Sequence, residues 1–443
     1  MKKLLIDKPL SIRVLLVPLL AGSLFMAGCS SDDDDNTADA DNSGVTDTGG
    51  SDINSGDDTN SDDGDSDASD ADTDDTDADS TETDSTDTTT DINAILTTVA
   101  SDFSSSAIEI YDAASRTEGL TGLNPGVSDT IVRAFEDKYY VIRRFMSDSV
   151  SAHSASDPST VIFETSTNDG TDTASSNPHD LVFVDSQKGY LLRYGSPNVW
   201  IVNPSATSAS EFKIGEIDLS AYDADGVPEA TRAVIVGDRM FVFMQRLELF
   251  APTLPGVVAV IDTTTDTEID TGSDGDLNGF EIPAFNPNDV SLDTSTDSIF
   301  VAAVGDFGAF DGSRPPALTG GIVSVDTENF TATQLIDDTE ETGRITAVEV
   351  IDANTAYMIT ETAFLSSTLV KFDPNTGTIE STGVAGFADV DLRDIAKGPE
   401  GNLWVAVGNT TSPQVVVVNP ADDSVIGPEI NTTLIPTGIT FAE

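Results

Sequence analysis

A short turn followed by an aromatic strand returns six times along this chain, and a repeat of that length leaves few folds open to it. The copies are Glu136-Asp137-Lys138-Tyr139-Tyr140-Val141, Gln187-Lys188-Gly189-Tyr190-Leu191, Gly237-Asp238-Arg239-Met240-Phe241-Val242, Thr296-Asp297-Ser298-Ile299-Phe300-Val301, Ala353-Asn354-Thr355-Ala356-Tyr357-Met358 and Glu400-Gly401-Asn402-Leu403-Trp404-Val405. Successive aromatics lie 50, 51, 59, 57 and 47 residues apart. Between them the apolar runs are short, rich in Val and Ile, and bounded by turn residues, with no sustained helical period.

A second strand follows each aromatic one and closes on Asp or Asn. It ends at Asn203, Asp262, Asp326, Asp373 and Asn419, with a degenerate copy ending at Glu164 and a first copy ending at Asp112. An Asx side chain there can bond backbone two residues on and so cap the turn, which accounts for the residue type without a functional role. Seven such strands imply seven units. The copy at Ala107–Asp112 stands at the start of the series and a lone strand, Thr437–Phe441, stands at its end. Together they predict an all-β fold: a seven-bladed β-propeller of four-stranded antiparallel blades, closed by the chain end completing the first blade.

Charge divides the chain into three parts. Residues 1–30 carry Lys2, Lys3, Lys8 and Arg13 against Asp7, whereas residues 31–91 carry 23 Asp and Glu82 with no Lys or Arg. Residues 92–443 hold the other 53 acids and 16 bases, and the whole chain stands at −58. Such a balance repels phosphate backbones, so nucleic acid is excluded as a partner. A single cysteine excludes an intramolecular disulfide and thiolate zinc or iron–sulfur sites. Residues 31–91 are mostly Asp, Ser, Thr, Gly and Asn, with almost nothing apolar to offset the entropy of ordering, which predicts a disordered, solvated tether. Its dense carboxylates could alternatively condense divalent cations, though no fixed ligand geometry is present.

The N-terminus joins a basic start to an apolar run from Val14 to Gly28, the pattern of a secretory signal peptide and too short for a membrane span. The run ends in Leu24-Phe25-Met26-Ala27-Gly28-Cys29-Ser30, which resembles a bacterial lipobox. The resemblance implies a signal peptide at 1–28, lipid on Cys29, a linker at 29–91 and a propeller at 92–443. With Ser30 after the cysteine, similarity to Gram-negative lipoproteins implies an outer-membrane anchor, the bilayer itself then being one partner. The segment Lys397-Gly398-Pro399-Glu400-Gly401-Asn402-Leu403-Trp404-Val405-Ala406 resembles the strand pair of NHL and YVTN-type propellers. It implies that superfamily's blade architecture, and no WD, kelch, Asp-box or tryptophan-docking signature recurs.

In a propeller the connections between second and third strands gather on one face. Here the aromatic-to-Asx interval is 13, 15 or 16 residues in three blades and 24, 21 or 26 in the others, so insertions are expected on that face. Blade four inserts Gln245-Arg246-Leu247-Glu248-Leu249-Phe250-Ala251-Pro252. Blade five inserts Asp306-Phe307-Gly308-Ala309-Phe310-Asp311-Gly312-Ser313-Arg314-Pro315-Pro316. Arg246, Phe250, Phe307, Phe310 and Arg314 are therefore candidate contacts for a protein or glycan, because Arg and large rings supply much of the energy of recognition. The competing reading is that the rings fold back over blade edges. Between blades four and five, Asp274, Asp276, Asn278 and Glu281 imitate the first half of a calcium loop, without the closing bidentate Glu; an acidic turn is the plain alternative.

Of the two histidines, His179 opens an inner strand, as a channel acid–base or a structural side chain, and His153 is expected in a solvated Ser-rich loop. No nucleophile elbow, phosphate loop or dinucleotide fingerprint occurs in context. The reading that emerges is a non-enzymatic envelope module. Its rivals are a calcium-dependent hydrolase or lactonase and an accessory subunit of an envelope complex.

Overall fold

The computed structural model describes residues 92–443 except 171, 173, 249–250, 274, 309–312, 364 and 381–382. Cys29, the acidic stretch, Phe250, Phe310 and Asp274 lie outside the described residues. Seven antiparallel sheets follow one another as blades. Blade one is Ile435–Ala442, Asn93–Val99, Ser106–Asp112 and Glu118–Leu123 from the axis outward. The innermost strands of blades two to seven are Thr130–Phe135, Pro178–Asp185, Ala230–Val236, Pro287–Asp293, Arg344–Asp352 and Leu392–Lys397. Five of those six blades have four strand positions; blade six has three strands, its outer edge marked by a single bridge between Phe372 and Ile379.

The ring closes as the repeat predicts, with one difference of neighbour. The tail pairs with Asn93–Val99, placing Phe441 opposite Ala94 and Ile439 opposite Leu96, and the strand holding Ile108 lies one position further out. Asn93–Val99 lacks the aromatic of the repeat, so the pattern passes over it.

Seven clusters of buried apolar side chains hold the ring, each between two successive blades. Ile95, Ile108 and Ile110 of blade one meet Val132, Tyr139 and Val141 of blade two. On the other side Leu96 and Tyr111 meet Trp404, Val415 and Val417 of blade seven. Each sheet is thus buried on both broad faces, which is why its middle strands read as continuous apolar runs rather than alternating ones.

The repeat's residues explain the stacking. The hydroxyls of Tyr140, Tyr190 and Tyr357 donate to Pro204 O (2.9 Å), Asp266 Oδ1 (2.5 Å) and Asp423 Oδ1 (2.5 Å), each in a turn of the next blade. Lys138, Lys188 and Arg239 donate to the carbonyls of Pro204, Thr263 and Thr327 in the same kind of turn. The Asx residues cap as expected: Asn203, Asp262, Asp326, Asp373 and Asn419 each accept the N–H two residues on, at 2.8–3.1 Å.

Two expectations fail in blade two. Val161–Ser166 is its outer strand, and the third strand is Ser149–Ser154, which has no Asx at its end. His153 therefore lies buried in a strand, stacked on Tyr139 at 4.8 Å with Ser151 Oγ 2.9 Å from Nε2, and is not solvated. The apparent long insertion of blade two vanishes with this register, leaving the long insertions in blades four and five. In blade four the acidic segment also moves: residues 269–279 interrupt an outer strand whose halves, Thr267–Glu268 and Phe280–Glu281, pair with the two ends of Val257–Asp262.

Candidate functional site

Inner strands run down the axis, and several break register near their upper ends. The breaks bring charged residues to the channel: Asp180 after Pro178, Arg232 after Ala230, Asp289 after Pro287 and Asp394 after Leu392. A bulge re-aims one side chain while the strand continues, and these side chains point across to the next inner strand. Asp180 accepts Arg133 Nε at 2.7 Å and the N–H of Ala233 at 3.1 Å. Asp289 accepts the N–H of Val348 at 3.1 Å, and Asp394 that of Ile439 in the closing strand at 2.8 Å. Arg232 stands 3.8 Å from Asp289, and Ser291 donates to Glu349 at 3.0 Å. Blades two to four thus present paired charges, while blades five to seven present Asp289, Glu349 and Asp394.

Burial acts first on these three acids, and the charge of Asp289 second on Glu349 and Asp394. Glu349 is pushed up to about 8 and Asp394 to about 7, and Asp289 is raised despite Arg232 beside it. The axis is a polar seam between blades whose carboxyls are largely spent on backbone N–H groups and guanidinium ions. Among the described residues no group of three or more His, Cys, Asp or Glu could hold a metal ion.

At the upper mouth His179 opens its strand as expected. It is buried, its ring stacks on Tyr194 at 4.2 Å, and neither ring nitrogen has a hydrogen-bond partner. Burial and the nearby Arg144, Arg232 and Arg133 hold it well below the usual histidine range, so it stays neutral. Tyr194 donates to Gln245 Oε1 (2.6 Å) and Gln245 to Pro287 O (2.9 Å), tying blades three, four and five together above the axis.

The second-to-third connections share this mouth. In blade four the insertion forms a hairpin of Leu247–Glu248 and Ala251–Pro252. Its base is pinned by Glu229, whose carboxyl accepts the N–H of Leu247 at 2.9 Å and is pushed by burial up to about 9. Arg246 reaches Glu281 Oε1 at 2.8 Å, so a proposed binding residue and a proposed metal ligand neutralise one another. Arg314 pairs with Asp306 at the neck of the blade-five insertion, and Phe307 is half-buried. Asn278 donates to Glu268 at 2.9 Å, and Asp276 is exposed.

The pattern search missed a different set of residues here. Met146, Leu254, Leu318 and Leu365 are 65, 40, 43 and 38% exposed, and each sits in a second-to-third connection, of blades two, four, five and six. Among the described residues the other exposed large apolar side chains, Val161, Ile214 and Val425, lie on outer strands. A single large apolar residue set among Pro, Gly and Thr of a turn is the signal that could have found Leu254 and Leu318, whereas Met146 and Leu365 each follow a Phe in the sequence. Two clefts, of about 320 and 440 Å³, open on the opposite face, one between the turns of blades four and five and one beside Ile92, Phe135, Lys397 and Phe441.

No protein-family model and no curated protein matches this sequence. Among solved structures the chain is similar to a proposed 6-phosphogluconolactonase from Bacteroides fragilis, with TM-score 0.55 and 13% identity over 81% of this chain and 100% of that one. A second proposed 6-phosphogluconolactonase, from Bacteroides uniformis, gives 0.55 and 12% over 79% and 99%. A protein from Lactobacillus plantarum gives 0.53 and 13% over 80% and 100%. At these identities the likeness is one of fold.

Proposed function

We propose that this chain is a lipid-anchored envelope module whose propeller binds a protein or glycan through the face carrying the second-to-third connections. One observation carries the reading: Met146, Leu254, Leu318 and Leu365 expose apolar surface on that face, where a solvated loop has no use for it. Anchoring rests on the lipobox-like run ending at Cys29 and is tested by metabolic labelling with a palmitate analogue, incorporated by the wild type and lost in Cys29→Ser.

The enzymatic alternative finds less support. The name shared by two structural neighbours travels with a fold and not with a site, and the axial carboxyls here already have partners among arginines and backbone N–H groups.

A photo-crosslinking residue at Leu254 or Leu318, in cells expressing the full chain, tests the binding reading against the same residue at Ile214 on an outer strand. Adducts from the two loop positions and none from Ile214 support it. Equal adducts from all three, or none, would refute it.

A further inference from the structure

Backbone hydrogen bonds join the apolar tips of blades four and five, and blade six carries its own tip on the same face. The N–H of Gly256, two residues beyond Leu254, bonds Ala284 O, and the N–H of Phe285 bonds Thr319 O beside Leu318. From there the chain runs through Asp338 and a bridge of Thr339 with Gly343 to blade six, whose tip is Leu365.

Acids surround these tips. Glu248, Asp337, Glu340, Glu341 and Asp389 are exposed at the same ends of the same three blades. The two arginines of the insertions are not available to balance them, since Arg246 is held by Glu281 and Arg314 by Asp306. Beneath the blade-five insertion Asp338 is 3% exposed, and neither carboxylate oxygen has a hydrogen-bond partner. Its Oδ2 packs so close to Gly305 that a Cβ there would come within 3.1 Å. Arg344, on the inner strand of blade six, acts on Asp338 from nearby, so cation is wanting at the rim rather than under it.

We infer that the face carrying Leu254, Leu318 and Leu365 docks a protein segment that presents an apolar anchor flanked by Lys or Arg. The inference rests on the binding reading above and adds the partner's chemistry. A second copy of this chain does not fit, because it would bring two acidic rims together. A bilayer with anionic headgroups fails for the same reason. Attraction between rim and flanks acts over roughly a Debye length, about 10 Å at 0.1 M salt, so the association is salt-sensitive.

The test uses the full chain and three fluorescent twelve-residue peptides with one Leu/Phe core, flanked by Lys and Arg, by Ser and Gly, or by Asp and Glu. Anisotropy is read at low and high salt. The expected result is that the basic peptide binds at least about tenfold tighter than the neutral one and that high salt removes this advantage. Its affinity falls at least about tenfold in Leu254→Ser/Leu318→Ser and, separately, in Glu340→Gln/Glu341→Gln.

Equal binding of all three peptides through Leu254 and Leu318 would overturn the charge inference and leave the binding face standing. Basic-peptide binding that survives Leu254→Ser/Leu318→Ser would mean capture by the acidic residues 31–91 and would also overturn it, as would leucine-dependent sedimentation with phosphatidylcholine vesicles. If no peptide binds the inference falls, and the crosslinking result then decides separately whether the face binds anything.

Discussion

Replacing Glu349 by Gln should make the propeller more resistant to alkaline conditions. The carboxyl sits on the inner strand of blade six, accepts the hydroxyl of Ser291 at 3.0 Å, and shares the axis with Asp289 and Asp394. Burial first, and those neighbours second, push it to about 8, where an ordinary glutamate titrates near 4.5. Because the folded value lies above the unfolded one, the folded chain keeps a proton that the unfolded chain has already released. The contribution to stability is complete below about pH 4.5 and is lost as pH climbs through about 8. At ~1.4 kcal/mol per pH unit the full displacement sets a ceiling of ~5 kcal/mol, and screening by solvent at the partly exposed carboxyl brings the expected loss to ~2 kcal/mol. Gln accepts the same hydroxyl bond and never ionises. Urea unfolding, followed by the fluorescence of the buried Trp200 and Trp404, should therefore give nearly equal stability for the two proteins at about pH 4. At pH 9 the variant should be ahead by ~2 kcal/mol. Coincident curves at pH 9, or a variant weakened equally at both values, would refute a proton-holding Glu349.

Tyr190→Phe removes the hydroxyl bond to Asp266 in the next blade and should lower stability by about 1–2 kcal/mol, read as a shifted urea midpoint with unchanged slope. Arg193→Ala should cost more, about 3–5 kcal/mol, because Arg193 is fully buried, spans Asp169 and Asp172, and lies 4.6 Å over Trp200. A loss below about 1 kcal/mol in the same assay would show that those acids find another partner. Millimolar calcium should leave the melting temperature of the full chain unchanged, since Glu281 is held by Arg246 and Asn278 by Glu268. An upward shift that Asp276→Asn abolishes would instead place the ion in that loop.

The count and order of the blades were legible in the chain because blade stacking makes the same demands at each unit. Every interface wants a large ring on its second strand and a capped turn after its third, so Tyr190, Phe241, Tyr357 and Asp262 mark their places without reference to anything distant. Where a unit met those demands differently the reading slipped. Blade two buries His153 on a third strand with no Asx, so the next apolar run, Val161–Ser166, passed for it. Asn93–Val99 has no aromatic and was overlooked although it pairs with the closing strand.

Local sequence determined which segments become strands, where they turn, and that the ring closes. Closure alone decided the rest. The acids of the axis come from inner strands about fifty residues apart, and nothing local separates Asp289 or Asp394 from the body's other carboxyls until bulged strands turn them toward a common line. Likewise Arg246 and Glu281 neutralise one another only because an interrupted outer strand returns Glu281 to the mouth of blade four. Secondary structure follows from short-range pattern, whereas charge pairing and exposure depend on what the fold brings within a few ångströms.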